Sequence, residues 1–128
     1  DYIHLAFIKG EILNNEPIMV RVHEPLSILD FIIKDDKHSW SPNDAFKKIA
    51  QEKNGVVLFL NYGNLNKVQK INDLDQQPKN KQNDLRNYGI GSQILVDLGI
   101  KEMKLLASPR KMPSMIGFGL DVKEFIEK

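Results

Sequence analysis

The side chains best suited to chemistry lie in the second half of the chain, where an aspartate and an arginine stand two residues apart at Asp84 and Arg86. A guanidinium suits a phosphoryl group because its planar fork donates two parallel hydrogen bonds. A second basic pair follows at Arg110 and Lys111. An Asp-x-Arg sequence ahead of a helix also serves as a first-turn charge and a surface ion pair. On residue types alone, the ion pair and a solvated basic face are the preferred interpretation.

A metal site would have to be built without thiolates, because the 128 residues include no cysteine. That absence excludes disulfides, a thiol nucleophile, iron–sulfur ligation and any zinc site with cysteine ligands. The candidates for a substitute site are His23, Glu24 and His38, and such a site needs at least three protein ligands in fixed geometry. Residues scattered in this way are more often surface groups, so we expect no metal in this domain.

The composition is that of an ordinary globular domain, with 41% hydrophobic residues and 27% charged residues. A net charge of +1 provides no field for a polyanion, which argues against nucleic acid as a partner and still permits a phosphate-sized ligand. No apolar run is long enough to span a bilayer, and no signal-peptide pattern opens the chain. Because the first residue is Asp1 and a strand-like run begins almost at once, we expect a single domain over residues 1–128, cut from a longer cytoplasmic protein.

Two apolar runs near the start of the chain predict strands. The first extends from Ile3 to Lys9, and the second extends from Pro17 to His23 and is rich in β-branched residues. The residues Asn14-Asn15-Glu16 between them have turn chemistry. We therefore predict an antiparallel hairpin over residues 3–23.

The rest of the chain alternates predicted helices and strands. A helix is expected to begin at Ser41, as its N-cap, with Pro42 in the first turn, and to end at Asn54-Gly55. Residues 72–84 hold one apolar residue in thirteen, which predicts a mobile polar loop. The remaining predicted elements are a strand over 56–60, a helix over 90–98 that Gly99 ends, a strand over 103–107 and an extended piece over 119–122. This alternation predicts the α/β class.

One long run and several shorter runs resemble GTP cyclohydrolase II. The long run reads Asp84-Leu85-Arg86-Asn87-Tyr88-Gly89-Ile90-Gly91-Ser92-Gln93-Ile94-Leu95, followed by Asp97-Leu98-Gly99-Ile100. The shorter runs are Met103-Lys104-Leu105-Leu106, Gly117-Phe118-Gly119-Leu120-Asp121-Val122, His4-Leu5-Ala6-Phe7-Ile8-Lys9-Gly10-Glu11 and Val20-Arg21-Val22-His23-Glu24. The resemblance is strong over 84–122, fair over 3–24 and poor between them.

The resemblance implies a mixed sheet with flanking helices, and an enzyme that opens the imidazole ring of GTP and releases formate and pyrophosphate at the start of riboflavin synthesis. In the family, three cysteines hold a zinc ion that activates water, and Mg²⁺ assists at the phosphates. Asp84 and Arg86 fall on the family's catalytic Asp-x-Arg, and Lys111 falls on a lysine that contacts the ligand. Many bacteria fuse this domain behind 3,4-dihydroxy-2-butanone-4-phosphate synthase.

The chain departs from the family where the chemistry is done. The family reads Val-His-Ser-Glu-Cys and then Cys-Asp-Cys-Gly, whereas this chain reads Val22-His23-Glu24-Pro25 and then Lys37-His38-Ser39-Trp40. The guanine-reading Arg-Gln-Glu-Gly-Arg-Gly-Ile-Gly is replaced by Asn61-Tyr62-Gly63-Asn64-Leu65-Asn66, and the region with the family's catalytic tyrosine is shortened. Metal ligands, base reader and proton donor are lost together, which indicates an abandoned active site with Asp84, Arg86 and Lys111 as vestiges.

Three hypotheses follow. The leading one is a degenerate domain without cyclohydrolase activity, which forms homodimers and supports or regulates an upstream synthase domain of the same chain; magnesium then belongs to the parent chain. The second is a working cyclohydrolase with a substitute metal site at His23, Glu24 and His38. The third is a module that binds GTP or phosphate weakly through Arg86, Arg110 and Lys111. For these basic residues, a solvated surface without a ligand is favoured over this third hypothesis.

Overall fold

The computed structural model describes residues 3–13, 15–23, 40–61, 81–109 and 118–128, and the side chains of its second helix from residue 89 onward. These residues form one five-stranded sheet and two helices. In chain order the elements are β1 (Leu5–Lys9), β2 (Ile18–His23), α1 (Pro42–Ala50), β3 (Gly55–Phe59), α2 (Lys81–Asp97), β4 (Glu102–Leu105) and β5 (Asp121–Phe125). The predicted α/β class is confirmed.

The strands lie in the order β1-β3-β2-β4-β5. Of the five strands in the described residues, the last four run parallel to one another, and β1 is antiparallel to its neighbour β3, with Ala6 opposite Leu58. The predicted N-terminal hairpin over 3–23 is therefore wrong, although antiparallel pairing at the N-terminus is present. The reason is burial: Ile18, Met19 and Val20 of β2 are buried and need a strand on each side, and this outweighs the local turn chemistry that would pair β2 with β1.

Each face of the sheet carries its own apolar cluster. On the face that packs against α1, hereafter the α1 face, the buried residues are Met19, Ala45, Ile49, Val57, Phe59 and Leu106. On the opposite face, hereafter the α2 face, they are Ile18, Val20, Val56, Leu58, Leu60, Leu95, Ile100, Met103, Leu105 and Leu120. β3 contributes to both clusters, since all five of its residues are buried, as the continuous apolar run predicts.

The helix boundaries follow the capping residues in one case and not in the other. Ser41 caps α1 as predicted, because its hydroxyl accepts a hydrogen bond from the backbone N–H of Asp44 at 3.2 Å. The polar loop predicted over 72–84 lies outside the described residues as far as 80, but α2 already begins at Lys81, so the last four residues of that prediction are helical. Lysine and glutamine are good helix formers, and polarity alone does not exclude a helix. In the described part of the chain, no helix is long and apolar enough to cross a membrane.

Candidate functional site

The carboxyl ends of the parallel strands define the candidate site. β2, β3, β4 and β5 all end at one edge of the sheet, hereafter the carboxyl edge, and β1 begins there because it runs the other way. In open α/β sheets, ligands bind in the crevice outside this edge. The candidate side chains must therefore be placed relative to this edge.

β2 brings Arg21 and His23 to the carboxyl edge. In the parallel register Arg21 lies beside Val57 and His23 lies beside Phe59, so both belong to the α1 face. The guanidinium Nη1 of Arg21 donates to the carbonyl oxygen of Leu106 at 2.9 Å, which ties β2 to the chain just after β4. The imidazole of His23 lies 5.9 Å from the Phe59 ring, centroid to centroid, in an edge-on arrangement. At this edge, Arg21 thus connects β2 to the chain after β4 by a hydrogen bond, and His23 lies against an aromatic ring.

His4 and Asn61 meet at the same edge, a contact that the sequence patterns did not predict. The Nδ1 atom of His4 accepts a hydrogen bond from the backbone N–H of Asn61 at 3.0 Å, so Nδ1 carries no proton in this arrangement. Asn61 begins the segment that the resemblance predicts to replace the family's guanine-reading residues, and this correspondence stays a prediction. The antiparallel pairing of β1 with β3 brings the start of β1 to the end of β3. The local sequence patterns do not predict this pairing, so they could not predict the contact.

α2 starts beyond the carboxyl edge, and Gly91 fixes its position. A Cβ at Gly91 would lie 3.4 Å from Leu60 Cδ1 and 3.7 Å from Val22 Cγ1, so the helix backbone crosses the ends of β3 and β2 here. The helix then runs toward the start of β4, at the opposite edge. Arg86 and Asp84 precede Gly91 by five and seven residues, about 7.5 Å and 10 Å along the axis, and so both positions lie above the carboxyl edge.

Four other predicted site residues lie outside the described residues, namely Lys111, Glu24, His38 and Arg110. Of the predicted set, the structure therefore brings His23 and the backbone of the Asp84–Arg86 turn to one edge. The roles of Asp84, Arg86 and Lys111 stay predictions.

The family's zinc does not fit this chain. The donor set that the resemblance implies is three thiolates, and the sequence contains none. Within the described ranges, no three histidine, aspartate or glutamate side chains are grouped so as to hold a metal ion. The substitute set that includes Glu24 and His38 reaches beyond these ranges and stays a prediction.

The C-terminal residues close the α1 side of the carboxyl edge. After β5, the carbonyl oxygen of Ile126 accepts a hydrogen bond from the indole Nε1 of Trp40 at 2.8 Å, and the ammonium of Lys128 lies 2.5 Å from a carboxylate oxygen of Asp44. These two contacts join the last residues to the first turn of α1. We call this pair of contacts the tail clamp.

The tail clamp shifts the pKa of Asp44. The hydrogen bond from Lys128, and after it the one involving Ser41, hold the pKa of the Asp44 carboxyl below its ordinary value of 3.8. A lowered folded-state pKa stabilises the protein at pH values above the unfolded-state pKa, and the contribution is lost as the pH falls through the folded-state pKa. The pair is partly exposed, so its contribution is small.

Replacing Asp44 by asparagine is expected to lower the free energy of unfolding at pH 7 by up to about 1 kcal/mol. At an acidic pH below the lowered pKa of this carboxyl in the folded protein, the difference should vanish, because the wild-type carboxylate is then protonated as well. Urea denaturation at both pH values measures this. Glu52→Gln, which alters an acidic side chain beyond the other end of α1, is the matched control. An equal loss from Asp44→Asn at both pH values would show that the stabilisation does not come from the negative charge of the carboxylate.

A protein-family comparison agrees with this architecture. The family model described as GTP cyclohydrolase II matches residues 1–127. The match covers the whole sheet, both helices and the carboxyl edge. It extends well beyond the runs from which the resemblance was drawn.

Individual relatives fall into two groups by name. The chain is 37% identical to 3,4-dihydroxy-2-butanone 4-phosphate synthase of Neisseria meningitidis serogroup A over 129 positions, covering 97% of this chain and 34% of that protein. The protein of the same name from Pseudomonas aeruginosa is 33% identical, with 97% and 35% covered. The riboflavin biosynthesis protein RibBA of Bacillus velezensis is 38% identical over 139 positions, with 94% and 34% covered. The chain thus spans about a third of the length of these relatives.

The two groups differ in how many gaps the alignment needs. The alignment with the meningococcal protein has 129 positions and includes 97% of this chain, or about 124 residues. About 5 residues of that protein therefore stand opposite gaps in this chain. Since 94% of this chain is about 120 residues, the 139 positions shared with the Bacillus velezensis protein leave about 19 of its residues opposite gaps. The matching stretch of the relatives named for the synthase alone is therefore closer in length to this chain than the matching stretch of the RibBA protein. It belongs to the GTP cyclohydrolase II family, among relatives named for riboflavin biosynthesis.

Proposed function

We propose that this chain is a GTP cyclohydrolase II-family domain that no longer catalyses the cyclohydrolase reaction. In this proposal it forms homodimers and acts as a structural or regulatory partner of a 3,4-dihydroxy-2-butanone-4-phosphate synthase domain that precedes it in the same cytoplasmic protein. The observation that carries the proposal is a preserved family fold in a chain without cysteine. No cofactor is assigned to this domain, and magnesium is left to the synthase domain.

The energetic argument concerns the attacking water. Zinc lowers the pKa of bound water from about 16 to about 7, so hydroxide is available at neutral pH. Nine pKa units correspond to roughly 12 kcal/mol of proton-removal free energy. Arg86 and Lys111 could orient phosphates, but orienting the phosphates does not lower the free energy needed to deprotonate the attacking water.

The gap pattern supports the same proposal. The relatives that need few gaps are named for the synthase alone, and those named RibBA carry additional residues opposite this chain. Catalytic and binding residues often lie on loops, and loops tolerate deletions. A loop that no longer serves a reaction can therefore be shortened without loss of function. The shortened segment at 61–84, in which the family's base reader and tyrosine are missing, is one place for that loss.

The direct test is a cyclohydrolase assay. The purified chain, supplied with zinc, magnesium and GTP, should release formate at the rate of the buffer alone, while a cysteine-containing RibBA protein assayed beside it turns over. Formate release that scales with the concentration of this chain would overturn the proposal. Metal analysis of protein purified without a tag would then show whether zinc is bound stoichiometrically, as the His23, Glu24 and His38 alternative requires.

The structural role has its own experiment. Synthase activity and oligomeric state should be compared in the full-length protein with and without residues 1–128. Deletion is expected to lower the synthase activity or to convert a dimer into monomers. If neither changes, the domain does not support the synthase.

A second candidate function rests on where α2 begins. Because the helix backbone at Arg86 lies above the carboxyl edge, where ligands of open α/β sheets bind, and a guanidinium suits a phosphoryl group, we infer a phosphate-binding function as the alternative. Titration of GTP against Arg86→Ala tests this, with Lys101→Ala as the control, because Lys101 precedes β4 at the opposite edge of the sheet. Affinity that is lost only in Arg86→Ala supports a GTP- or phosphate-binding module. Equal affinity in both variants eliminates it.

A further inference from the structure

β1 is an exposed and apolar edge strand. Within the described part of the chain, β3 pairs with one side of β1 and no strand pairs with the other. All five residues of β1 are exposed, and the exposed fractions of its large apolar residues are 43% for Leu5, 50% for Phe7 and 46% for Ile8. An exposed apolar edge is a template for pairing with another strand, and proteins usually protect such edges with charge, proline or a bulge.

The opposite edge of the sheet carries that protection. β5 contains three charged residues in five, at Asp121, Lys123 and Glu124. The ammonium of Lys123 lies 2.7 Å from a carboxylate oxygen of Asp121, and the pairing of β5 with β4 is interrupted by an irregularity. One edge is thus blunted against pairing, whereas β1 has only Lys9 at its end. This asymmetry points to β1 as the edge that is paired in the assembled protein.

The direction of the free hydrogen-bonding groups of β1 follows from its neighbours. Leu60 donates its backbone N–H to His23 of β2 at 3.0 Å, and Asn61 donates to His4 on the other side. Because these directions alternate along a strand, Phe59 and Val57 face β1. Their partners Leu5 and Phe7 are therefore bonded to β3, as is Lys9 opposite Gly55. The N–H and C=O groups of the intervening Ala6 and Ile8 point to the open edge.

We propose that β1 pairs antiparallel with β1 of a second copy of this chain, across a twofold axis that passes between the two Phe7 residues. This inference rests on the homodimer of the proposed function and names its interface. In this register Ala6 lies opposite Ile8 of the second copy, and each such pair exchanges both ladder hydrogen bonds. The two Phe7 residues face each other as the closely spaced pair. The two five-stranded sheets then form one continuous sheet.

Size and charge favour this register over its neighbours. It gives the full overlap of the five residues and places small Ala6 against large Ile8. The two Lys9 residues stand about 14 Å apart, beyond the screening length of about 8 to 10 Å in physiological salt. Centring the pair on Ile8 would bring the two Lys9 residues to about 7 to 8 Å from each other. A twofold interface repeats each favourable contact, so a short strand supplies two sets.

The absence of cysteine makes the register directly testable by cross-linking. In the proposed dimer the Cα atoms of the two Phe7 residues lie about 4.5 Å apart, within the range that a disulfide spans. Phe7→Cys should therefore form a covalent dimer under mild oxidation. Leu5→Cys, on the same face of the same strand, is the matched control, since its copies lie about 14 Å apart. Cross-linking of Leu5→Cys as fast as Phe7→Cys overturns the register.

A second pair of variants keeps the proposal falsifiable if Phe7→Cys disturbs the aromatic cluster. Ile8→Lys places a charge in the interface, whereas Val96→Lys makes the same change at a residue of α2 that is 38% exposed. In sedimentation experiments, Ile8→Lys should raise the dimer dissociation constant at least about tenfold, or 1.4 kcal/mol, and Val96→Lys should leave it unchanged. Unfolding curves confirm that both variants fold.

The outcomes separate this inference from the proposed function. A wild-type dimer that Ile8→Lys leaves intact overturns the β1 interface and leaves the inactive-domain proposal standing. A monomeric wild-type chain also overturns the interface, including the case in which a preceding segment of the full protein covers β1. Amide exchange provides the positive signature: Ala6 and Ile8 should become protected only as the dimer forms, whereas Leu5 and Phe7 are protected in the monomer as well.

Discussion

Replacing Phe59 by alanine is expected to lower the free energy of unfolding by about 3 to 5 kcal/mol. Phe59 is 1% exposed and lies at the centre of an aromatic cluster on the α1 face. Its ring centroid lies 5.6 Å from that of Phe7 and 5.8 Å from that of Phe46, and the Phe7 contact is edge-to-face. The substitution removes these contacts and leaves a cavity beneath α1, which a rigid sheet cannot close.

Guanidinium chloride denaturation measures this loss, and Phe118→Ala is the matched control. Phe118 is 42% exposed, so the same change in side chain should cost much less there. A similar loss from both variants would mean that the cluster around Phe59 is not the centre of the α1-face core. Such an outcome would also remove the support for the position of β1, since Phe7 packs on that ring.

Replacing Gly10 by alanine is expected to cost about 3 kcal/mol or more, for two separate reasons. Gly10 has a φ of +71°, which costs an L-residue about 1 to 2 kcal/mol. In addition, a Cβ there would lie 2.5 Å from the carbonyl oxygen of Lys53, so the backbone would have to move. The turn is held on both sides, because Lys9 donates to the carbonyl oxygen of Ala50 and Asn54 donates to that of Glu11.

Gly99 offers a control that isolates the steric part. Its φ is +92°, but a Cβ at this position would meet nothing within 4 Å. Gly99→Ala should therefore cost only the conformational part, about 1 to 2 kcal/mol. Thermal or denaturant unfolding of the two variants gives the difference. If Gly10→Ala costs no more than Gly99→Ala, the close approach between Gly10 and the α1–β3 connection is absent in solution.

The elements of this fold could be predicted from the sequence where a local signal was sufficient. Ser41 and Pro42 predicted the start of α1, and the apolar run at Val56 predicted a buried strand, since capping and burial are written in neighbouring residues. The partner of β1 could not be predicted in this way. Its pairing with β3, more than forty residues away, depends on which strand has a free side once β2 is buried, and no local pattern encodes that choice.

The candidate site was predictable in type and less so in arrangement. The long run beginning at Asp84 was sufficient to suggest the family that the comparison then showed. The contact between His4 and Asn61 was missed because it depends on the same non-local pairing. Arg21 gave no signal of its tie to Leu106, because a basic residue on a strand looks like a solvated one until the neighbouring strand is known.

The strand order has a consequence for synthesis on the ribosome. Of the strands of this sheet, β1 leaves the ribosome first, but its partner β3 ends at Phe59, and β2 reaches its second partner only when Leu105 has been added. At roughly 5 to 20 residues per second, β1 waits about 3 to 10 s for the fifty residues from Gly10 to the end of β3 at Phe59. Non-local pairing of this kind also slows folding itself. The apolar edge strand of the finished sheet is thus also the strand of this sheet that waits longest for a partner during synthesis, and an unpaired apolar strand is prone to pair with other chains in that interval.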